Sequence, residues 1–257
     1  MKKILNSLGV SQKTMLRDLA RKVGLEVMRN SQNVRDDLRL AGFLKLFNIE
    51  LVLDVGANRG QFAQELFKAG YSGKIVSFEA LPDAHASLSQ TAAKNPTSWL
   101  VAPRVALSDK AGVAQFHVTA TDTASSLRAP SQDMVASTPS TRLSNTIEVP
   151  TARLDDILTE MGIVVENCFI KLDVQGAETL VLAGAPDTIA AATGLMTELS
   201  LIPLYEGEPP AQEVLGTVYE AGFEVWDIWQ GYRNPQTYRL NQIDIVCFRS
   251  GSKIDAR

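Results

Sequence analysis

The sequence predicts an α/β fold built on a doubly wound, mostly parallel sheet. Short apolar runs rich in β-branched residues alternate along the chain with stretches of helical spacing. One such run, Leu51–Val55, leads through a glycine turn directly into a helical pattern, which is typical of nucleotide-type sites. At 257 residues the chain is long enough for one large domain of this kind.

The composition is that of a folded protein with a slight acidic excess. Hydrophobic residues make up 45% of the chain, which is enough for a large core. The net charge of -4 argues against nucleic acid as the main partner. No apolar run approaches the roughly 18 residues of a membrane span. Polar residues also interrupt the segment after Met1-Lys2-Lys3, so we expect no signal peptide and a cytoplasmic protein.

Residues 1–48 are predicted to form an N-terminal helical cap of two helices, separated at residues 30–33. Met15, Leu19 and Val23 share one face of the first helix. We expect the cap to pack beside the first strand. The alternative is a basic helix that lies on a membrane surface.

The main domain is predicted to cover residues 49–250, and residues 251–257 form a tail. It contains an inserted strand pair and loop at about residues 113–150. Between the two inserted strands, residues 119–145 are rich in Ser, Thr and Pro and lack helical periodicity. We therefore predict a long loop on the substrate side.

The other elements of the main domain follow from the same patterns. Predicted strands are residues 74–78, 99–102, 168–172, 195–199, 223–229 and 243–248. Predicted helices are residues 61–69, 82–93, 154–161 and 211–221, with a further helix beginning at residue 177. Trp226 and Trp229 are three residues apart, so in a regular strand they would point to opposite faces.

Three acidic residues end three predicted core strands: Asp54, Glu79 and Asp173. The carboxyl ends of parallel strands meet at one edge of the sheet, so these side chains are expected to face one crevice. Glu79 ends the second strand, where a carboxylate can accept hydrogen bonds from two ribose hydroxyls.

The turn after the first strand discriminates between nucleotide ligands. A dinucleotide site needs a second glycine where this chain has Asn58, between Gly56 and Gly60. The Asn58 side chain would crowd a phosphate, and no lysine–hydroxyl pair of a P-loop follows. A ribose with a zwitterionic tail suits the turn better, and S-adenosylmethionine is such a ligand.

Cysteine and histidine provide little chemistry. Cys168 and Cys247 lie in apolar strands and are interpreted as buried, reduced thiols. His85 and His117 are the two histidines, and their spacing is not that of metal ligands. We therefore predict no metal site.

Four segments together resemble the FkbM family of S-adenosylmethionine-dependent methyltransferases. They are Asp54-Val-Gly-Ala-Asn-Arg-Gly-Gln-Phe62, Phe78-Glu79-Ala80, Thr151-Ala-Arg-Leu-Asp-Asp156 and Lys171-Leu-Asp-Val-Gln-Gly-Ala-Glu178. The resemblance runs from about residue 50 to about residue 249. It implies the class I methyltransferase (Rossmann-like) sheet with an antiparallel last strand, and methyl transfer to a hydroxyl of a small molecule, sugar or glycan.

The resemblance also implies residue roles. Asp54, Gly56, Asn58 and Gly60 would bind the methionine portion of the cofactor, Glu79 the ribose, and Asp173 would stand near the methyl group. Val105 and Ala106 would lie beside the adenine, and Phe62 and Ala80 are further cofactor-binding candidates.

Loss of a hydroxyl proton calls for a base, and three residues are candidates. Asp173 is the first, Glu198 at the end of the fifth strand is the second, and His117 on the inserted pair is the third. The family usually has Glu where this chain has Gln175. Glu178 could replace that acid, or it could be an ordinary acid in the first turn of a helix.

Two other functions stay open from the sequence. One is a dinucleotide-dependent oxidoreductase on a similar sheet, which Asn58 disfavours. The other is a family member that binds the cofactor without catalysis, which Gln175 keeps open. The sequence does not predict an oligomeric state.

Overall fold

The structure is a computed structural model that describes residues 10–25 and 31–254. Predictions on Met1-Lys2-Lys3, on Asn30 and on the end of the tail fall outside these residues. The helices are α1 Val10–Lys22, α2 Asp36–Leu46, α3 Gln61–Lys68, α4 Pro82–Ala92, α5 Gln132–Ser137, α6 Leu154–Glu160, α7 Glu178–Ala183, α8 Pro186–Ala191 and α9 Ala211–Glu220. The strands are β1 Leu51–Val55, β2 Lys74–Phe78, β3 Trp99–Val101, β4 Ala106–Leu107, β5 Gly112–Thr119, β6 Leu143–Ala152, β7 Cys168–Leu172, β8 Ala192–Ser200, β9 Phe223–Gln230 and β10 Gln242–Arg249.

The main sheet confirms the predicted fold class. Its strands run in the order β3-β2-β1-β7-β8-β10-β9. The first five are parallel neighbours, and β10 runs antiparallel to both β8 and β9. The order reverses direction between β1 and β7, and this switch point is where α/β sheets bind ligands.

Helices cover both faces of this sheet, as a nearly continuous apolar strand pattern requires. On one face, α2, α3 and α4 pack through Leu44, Leu66 and Leu88. The helices α6 to α9 pack on the other face, where Leu158 and Val218 are buried. Both cysteines are buried free thiols, as predicted.

The N-terminal helices differ from each other in packing. Leu40 and Leu44 of α2 are buried. Met15 and Leu19 of α1 are exposed, as is Val23 just after it, so the apolar face of α1 does not pack beside the first strand as expected. The domain boundaries at residues 48 and 250 stay a prediction. Within residues 10–25 and 31–254, every helix is too short or too polar to cross a membrane.

The inserted segment is more ordered than predicted. The predicted strand pair is present as β5 and β6, which run antiparallel, and β4 adds a third strand beside β6. The prediction of a plain loop over residues 119–145 was wrong, because this stretch contains α5 and two short 3-10 turns. Ser131 caps α5 by accepting a hydrogen bond from the Met134 amide. Such a short helix shows no recognisable periodicity.

Trp226 and Trp229 share one face of the sheet, contrary to the prediction. The pairing of β9 with β10 shifts register at Val246 and Cys247, which leaves Trp226 as an extra, bulged residue. The ring centroids of Trp226 and Phe47, the residue that follows α2, lie 4.8 Å apart. Trp229 packs against the hydrophobic cluster that contains Phe47, on the same face of the sheet.

Candidate active site

A cavity of about 360 Å³ lies at the carboxyl ends of β1, β2, β7 and β8. The predicted site residues that line it are Gly56, Asn58, Phe62, Glu79, Ala80, Val105, Ala106, Asp173 and Glu198. Asp54, Gly60 and His117 are not among its lining residues. The sheet edge therefore brings together most of the predicted site.

Glu79 lies at the cavity wall with its carboxylate fixed by backbone donors. The Asn58 amide donates to Oε2 and the Leu81 amide to Oε1, each at 2.7 Å. Burial raises the pKa of Glu79, and these amide donors act in the opposite direction. Each oxygen keeps a further lone pair, so the carboxylate can accept two hydroxyls of a ribose.

The turn after β1 uses left-handed backbone at Gly56, Asn58 and Gly60. Asn tolerates this conformation, and the Asn58 side-chain oxygen accepts from the Arg59 amide at 2.9 Å. A Cβ at Gly60 would lie 2.6 Å from Trp99 of β3, so this glycine permits close packing of helix and sheet. Its contact with the cofactor stays a prediction.

Gly56 allows the backbone of the turn after β1 to lie close to the backbone of the turn after β7. A Cβ on this residue would lie 1.8 Å from the backbone oxygen of Asp173. The turns after β1 and β7 therefore touch through backbone, and together they form the floor of the cavity.

Asp54 does not face the cavity, because it is completely buried below the turn. Its carboxylate lies 3.1 Å from the Nζ of Lys171 and accepts a hydrogen bond from Ser77 at 3.2 Å. Asp54 and Lys171 are register partners on β1 and β7. Asp54 therefore has no direct contact with the cavity, and it stabilises Lys171, which lines the cavity.

Lys171 is a functional residue that the sequence patterns did not single out, although it opens the motif at residues 171–178. Its Nζ is 3.2 Å from Asp173 and donates to the Gly56 carbonyl at 3.0 Å. Burial lowers the pKa of Lys171, but Asp173 and Asp54 outweigh burial and the net pKa is raised. The buried cation thus ties both floor turns to Asp54. A lysine inside the apolar run Cys168–Leu172 is the signal that could have revealed it.

The cavity has an apolar end suited to a flat aromatic ring. The predicted residues Ala80, Val105 and Ala106 lie there with Leu81, Leu107, Phe116 and Leu127. Phe116 and Leu127 belong to the inserted segment, which therefore closes this side.

The opposite end of the cavity is acidic. Asp173, Glu198 and Asp244 line it, with Gln175 among them. Burial, followed by the charge of Asp173, raises the pKa of Asp244 to about 6 and that of Glu198 well above its ordinary value. Asp173 is the more accessible acid, with 39% of its side chain exposed, and it lies beside the Lys171 cation.

The other two acid–base candidates have different surroundings. Glu178 is not a lining residue, and it accepts hydrogen bonds from the amides of Val174 and Gly176 at 3.2 Å. Its role is to hold the turn after β7, as an acid in the first turn of α7. His117 alternates along β5 with Phe116, which lines the cavity, so its side chain points away from it. His85 contacts the carbonyl of Ala102 at 2.9 Å.

These features define a class of protein. The sheet order with its reversed β10, the carboxylate at the end of β2 and the glycine turn after β1 are those of a class I methyltransferase. An apolar slot, a ribose-binding carboxylate and a non-phosphate turn fit S-adenosylmethionine.

Comparison with known proteins gives the family. The methyltransferase FkbM domain matches residues 54–225. The 2-O-methyltransferase NoeI of Sinorhizobium fredii is 31% identical over 172 residues, which cover 64% of this chain and 69% of that protein. The chain therefore belongs to the FkbM methyltransferases, and S-adenosylmethionine is its methyl donor.

Solved structures also align with the chain at low identity. An rRNA methylase from Streptococcus thermophilus is 12% identical with a TM-score of 0.45, covering 87% of this chain and 99% of that one. TehB from Haemophilus influenzae is 11% identical with a TM-score of 0.43, covering 84% and 62%. Such distant similarity says nothing about the acceptor of this chain.

Proposed function

We propose that the chain transfers the methyl group of S-adenosylmethionine to a hydroxyl oxygen of a small molecule or sugar. The observation that supports this best is the position of Asp173. Its carboxylate belongs to the acidic end of the cavity, and its backbone touches Gly56 in the turn suited to the cofactor. A hydroxyl bound at that end would have a base beside it. The name of NoeI, a 2-O-methyltransferase, is consistent with transfer to oxygen.

The proposed chemistry is an in-line displacement. The bound sulfonium supplies the methyl group: the new O–C bond forms as the C–S bond breaks, and the electron pair stays on sulfur. Glu79 and the apolar slot hold the cofactor in one position, and such alignment accounts for most of the rate gain. Asp173 takes the hydroxyl proton, which adds a factor of roughly 10²–10⁴.

The acceptor is proposed to be neutral or cationic rather than a nucleic acid. Besides Asp173, the lining includes Glu65, Glu198 and Asp244, whereas the cation Lys171 is already paired with Asp54. Carboxylates accept hydrogen bonds from hydroxyl or ammonium groups and repel phosphates.

Calorimetry tests the cofactor half of the proposal. S-adenosylhomocysteine should bind the wild-type protein and bind Glu79→Ala at least ten times more weakly, because a ribose anchor is lost. Glu160→Ala, on the exposed end of α6, is the matched control and should bind normally. Binding of NAD in place of the homocysteine compound would contradict the proposal.

Asp173→Asn tests the chemical half. With a sugar panel as acceptor and release of S-adenosylhomocysteine as readout, turnover should fall by roughly 10²–10⁴. Cofactor binding should persist. The exposed Asp83→Asn serves as control and should behave as wild type. Unchanged turnover in Asp173→Asn would remove this residue as the base.

A further inference from the structure

The side chain of Gln175 lies between two carboxylates at the acidic end of the cavity. Its Nε2 donates to Asp173 Oδ1 at 2.7 Å and to Glu198 Oε2 at 2.9 Å. The two protons of one amide thus serve one acid on the β7 turn and one on β8. Without them the two carboxylates would lack a shared donor, and Lys171 would remain beside Asp173 at 3.2 Å.

Tyr205 completes the contacts of this amide. Its hydroxyl donates to Gln175 Oε1 at 2.6 Å, and the tyrosine is almost fully buried. A flipped amide would place its oxygen against two carboxylates, so the carboxylates set the amide direction. The observed orientation is therefore the one in which every polar contact pairs a donor with an acceptor.

The backbone shows that this placement is imposed by the surrounding structure. Gln175 has φ of 59°, in the left-handed region that non-glycine residues seldom adopt. The next residue, Gly176, also has positive φ, and a Cβ there would lie 2.9 Å from the Cβ of Tyr205. The turn is pressed against Tyr205, and disfavoured backbone of this kind is typical of functional sites.

We propose that Gln175 is a positioning residue, which holds Asp173 beside Glu198 and aims Asp173 at the acceptor hydroxyl. This inference rests on the proposed methyl transfer. Because residue 175 lies between two carboxylates, a neutral side chain that donates hydrogen bonds suits this position. A carboxylate would add a third anion, and an apolar side chain would leave both acids without their shared donor.

The electrostatic surroundings of Glu198 define what the amide contributes. Burial raises the pKa of Glu198, the charges of Asp173, Glu178 and Asp244 raise it further, and Lys171 acts in the opposite direction. The Gln175 amide assists Lys171, because a hydrogen bond to a carboxylate stabilises the ionised form.

Carbon-13 NMR tests the proposal without an acceptor. In protein labelled at the glutamate carboxyl carbon, the Glu198 signal is the one absent from Glu198→Gln, and its titration midpoint is measured, because Glu198 accepts from the same amide as Asp173. Gln175→Ala should raise this midpoint by about one pH unit, as expected for loss of a hydrogen bond to a charged group. Gln175→Glu should raise it further, because it adds a negative charge.

The control is Gln115→Glu, which also lies next to a carboxylate, that of Glu148, but on the exposed face of β5. It should leave the midpoint unchanged. Tyr205→Phe keeps the Gln175 side chain but removes the hydrogen bond to its Oε1, so a smaller rise of the titration midpoint is expected. This variant also tests the proposal if the Gln175 variants do not fold.

Midpoints that stay within about 0.2 pH units of wild type in all folded variants of Gln175 and Tyr205 would overturn the proposal. Binding of S-adenosylhomocysteine to the wild type is measured on the same samples. If this binding fails, the proposed function falls, and the titration still decides the role of Gln175 separately.

Discussion

At the scale of single residues, the buried pair Asp54–Lys171 is the main electrostatic element below the cavity. Both charges lie in strands that are otherwise apolar, and they are partners across β1 and β7. Removing one member of a buried pair leaves the other without compensation, and this costs far more than removing both.

Lys171→Met is therefore expected to lower the free energy of unfolding by about 3–5 kcal/mol, because Asp54 loses its partner. Urea denaturation measures the change. The double variant Asp54→Asn with Lys171→Met should be less destabilised than the sum of the two single variants. Lys94→Met on the surface should change stability by less than about 0.5 kcal/mol. A Lys171→Met effect as small as this control would contradict the pairing.

Glu178 predicts a pH effect on stability. Burial, together with Glu208, raises its pKa from 4.5 to about 7 in the folded protein. Between these values the folded protein binds a proton that the unfolded chain has released, so stability falls as pH rises from about 4.5 to 7.

In Glu178→Gln this contribution should be absent, while the amide oxygen still accepts from Val174 and Gly176. Across that pH range the stability of the wild type should fall relative to Glu178→Gln by about 1–3 kcal/mol. Denaturant titrations at several pH values give the comparison. Parallel curves for the two proteins would show that Glu178 ionises normally in the folded state.

At the scale of elements, the sequence predicts the strands and helices whose residues are buried in the sheet core. The runs Leu51–Val55, Lys74–Phe78 and Cys168–Leu172 match strands of the structure, because burial on both faces leaves a continuous apolar signal. What the sequence does not reveal depends on tertiary contacts. The helix α5 has six residues and the bulge at Trp226 arises only from pairing with β10.

The site residues also divide into those that the strand pattern predicts and those that depend on tertiary contacts. Glu79 and Asp173 are predictable because each follows a strand, and parallel strands end at one edge. The position of Asp54 was misjudged, because one residue along a strand reverses the side to which a side chain points. The contacts of Gln175 could not be predicted, since they join the β7 turn to Glu198 on β8 and to Tyr205.

The contact between the turns after β1 and β7 gives a prediction for Gly56→Ala. The added Cβ would overlap the Asp173 backbone at a residue with φ of 75°. We expect a loss of several kcal/mol in stability, about 3 kcal/mol or more, because both strain and overlap arise. Binding of S-adenosylhomocysteine should be lost as well, since both turns line its site.

Gly216→Ala is the matched control for this substitution. Gly216 lies in α9 with open space around its Cβ position, so alanine there should stabilise the protein by up to about 1 kcal/mol. Thermal unfolding of the two variants side by side measures both effects. Normal stability in Gly56→Ala would mean that the two turns can separate without cost.

At the scale of the whole molecule, charge is distributed unevenly over the cavity. The apolar end is closed by the inserted segment, and the acidic end adds to a net charge of -4. The acidic end is where the acceptor would bind if Asp173 is the base. A neutral or amino-bearing sugar can donate hydrogen bonds to Asp244 and Glu198, whereas an anionic acceptor meets repulsion from Asp244 above about pH 6, where this carboxylate is ionised.

Phosphorylated acceptors are therefore expected to be poor substrates. A phosphate placed next to the reacting hydroxyl of an accepted sugar should lower kcat/KM by about 10–100-fold, which corresponds to roughly 1.4–2.8 kcal/mol. Asp244→Asn removes one repelling charge and should reduce this discrimination, whereas the surface variant Asp83→Asn should preserve it. Steady-state kinetics on a sugar and its phosphate ester, each with all three proteins, measures the effect. Equal kcat/KM for the two acceptors in the wild type would mean that the acceptor hydroxyl approaches Asp173 from a direction that avoids Asp244 and Glu198.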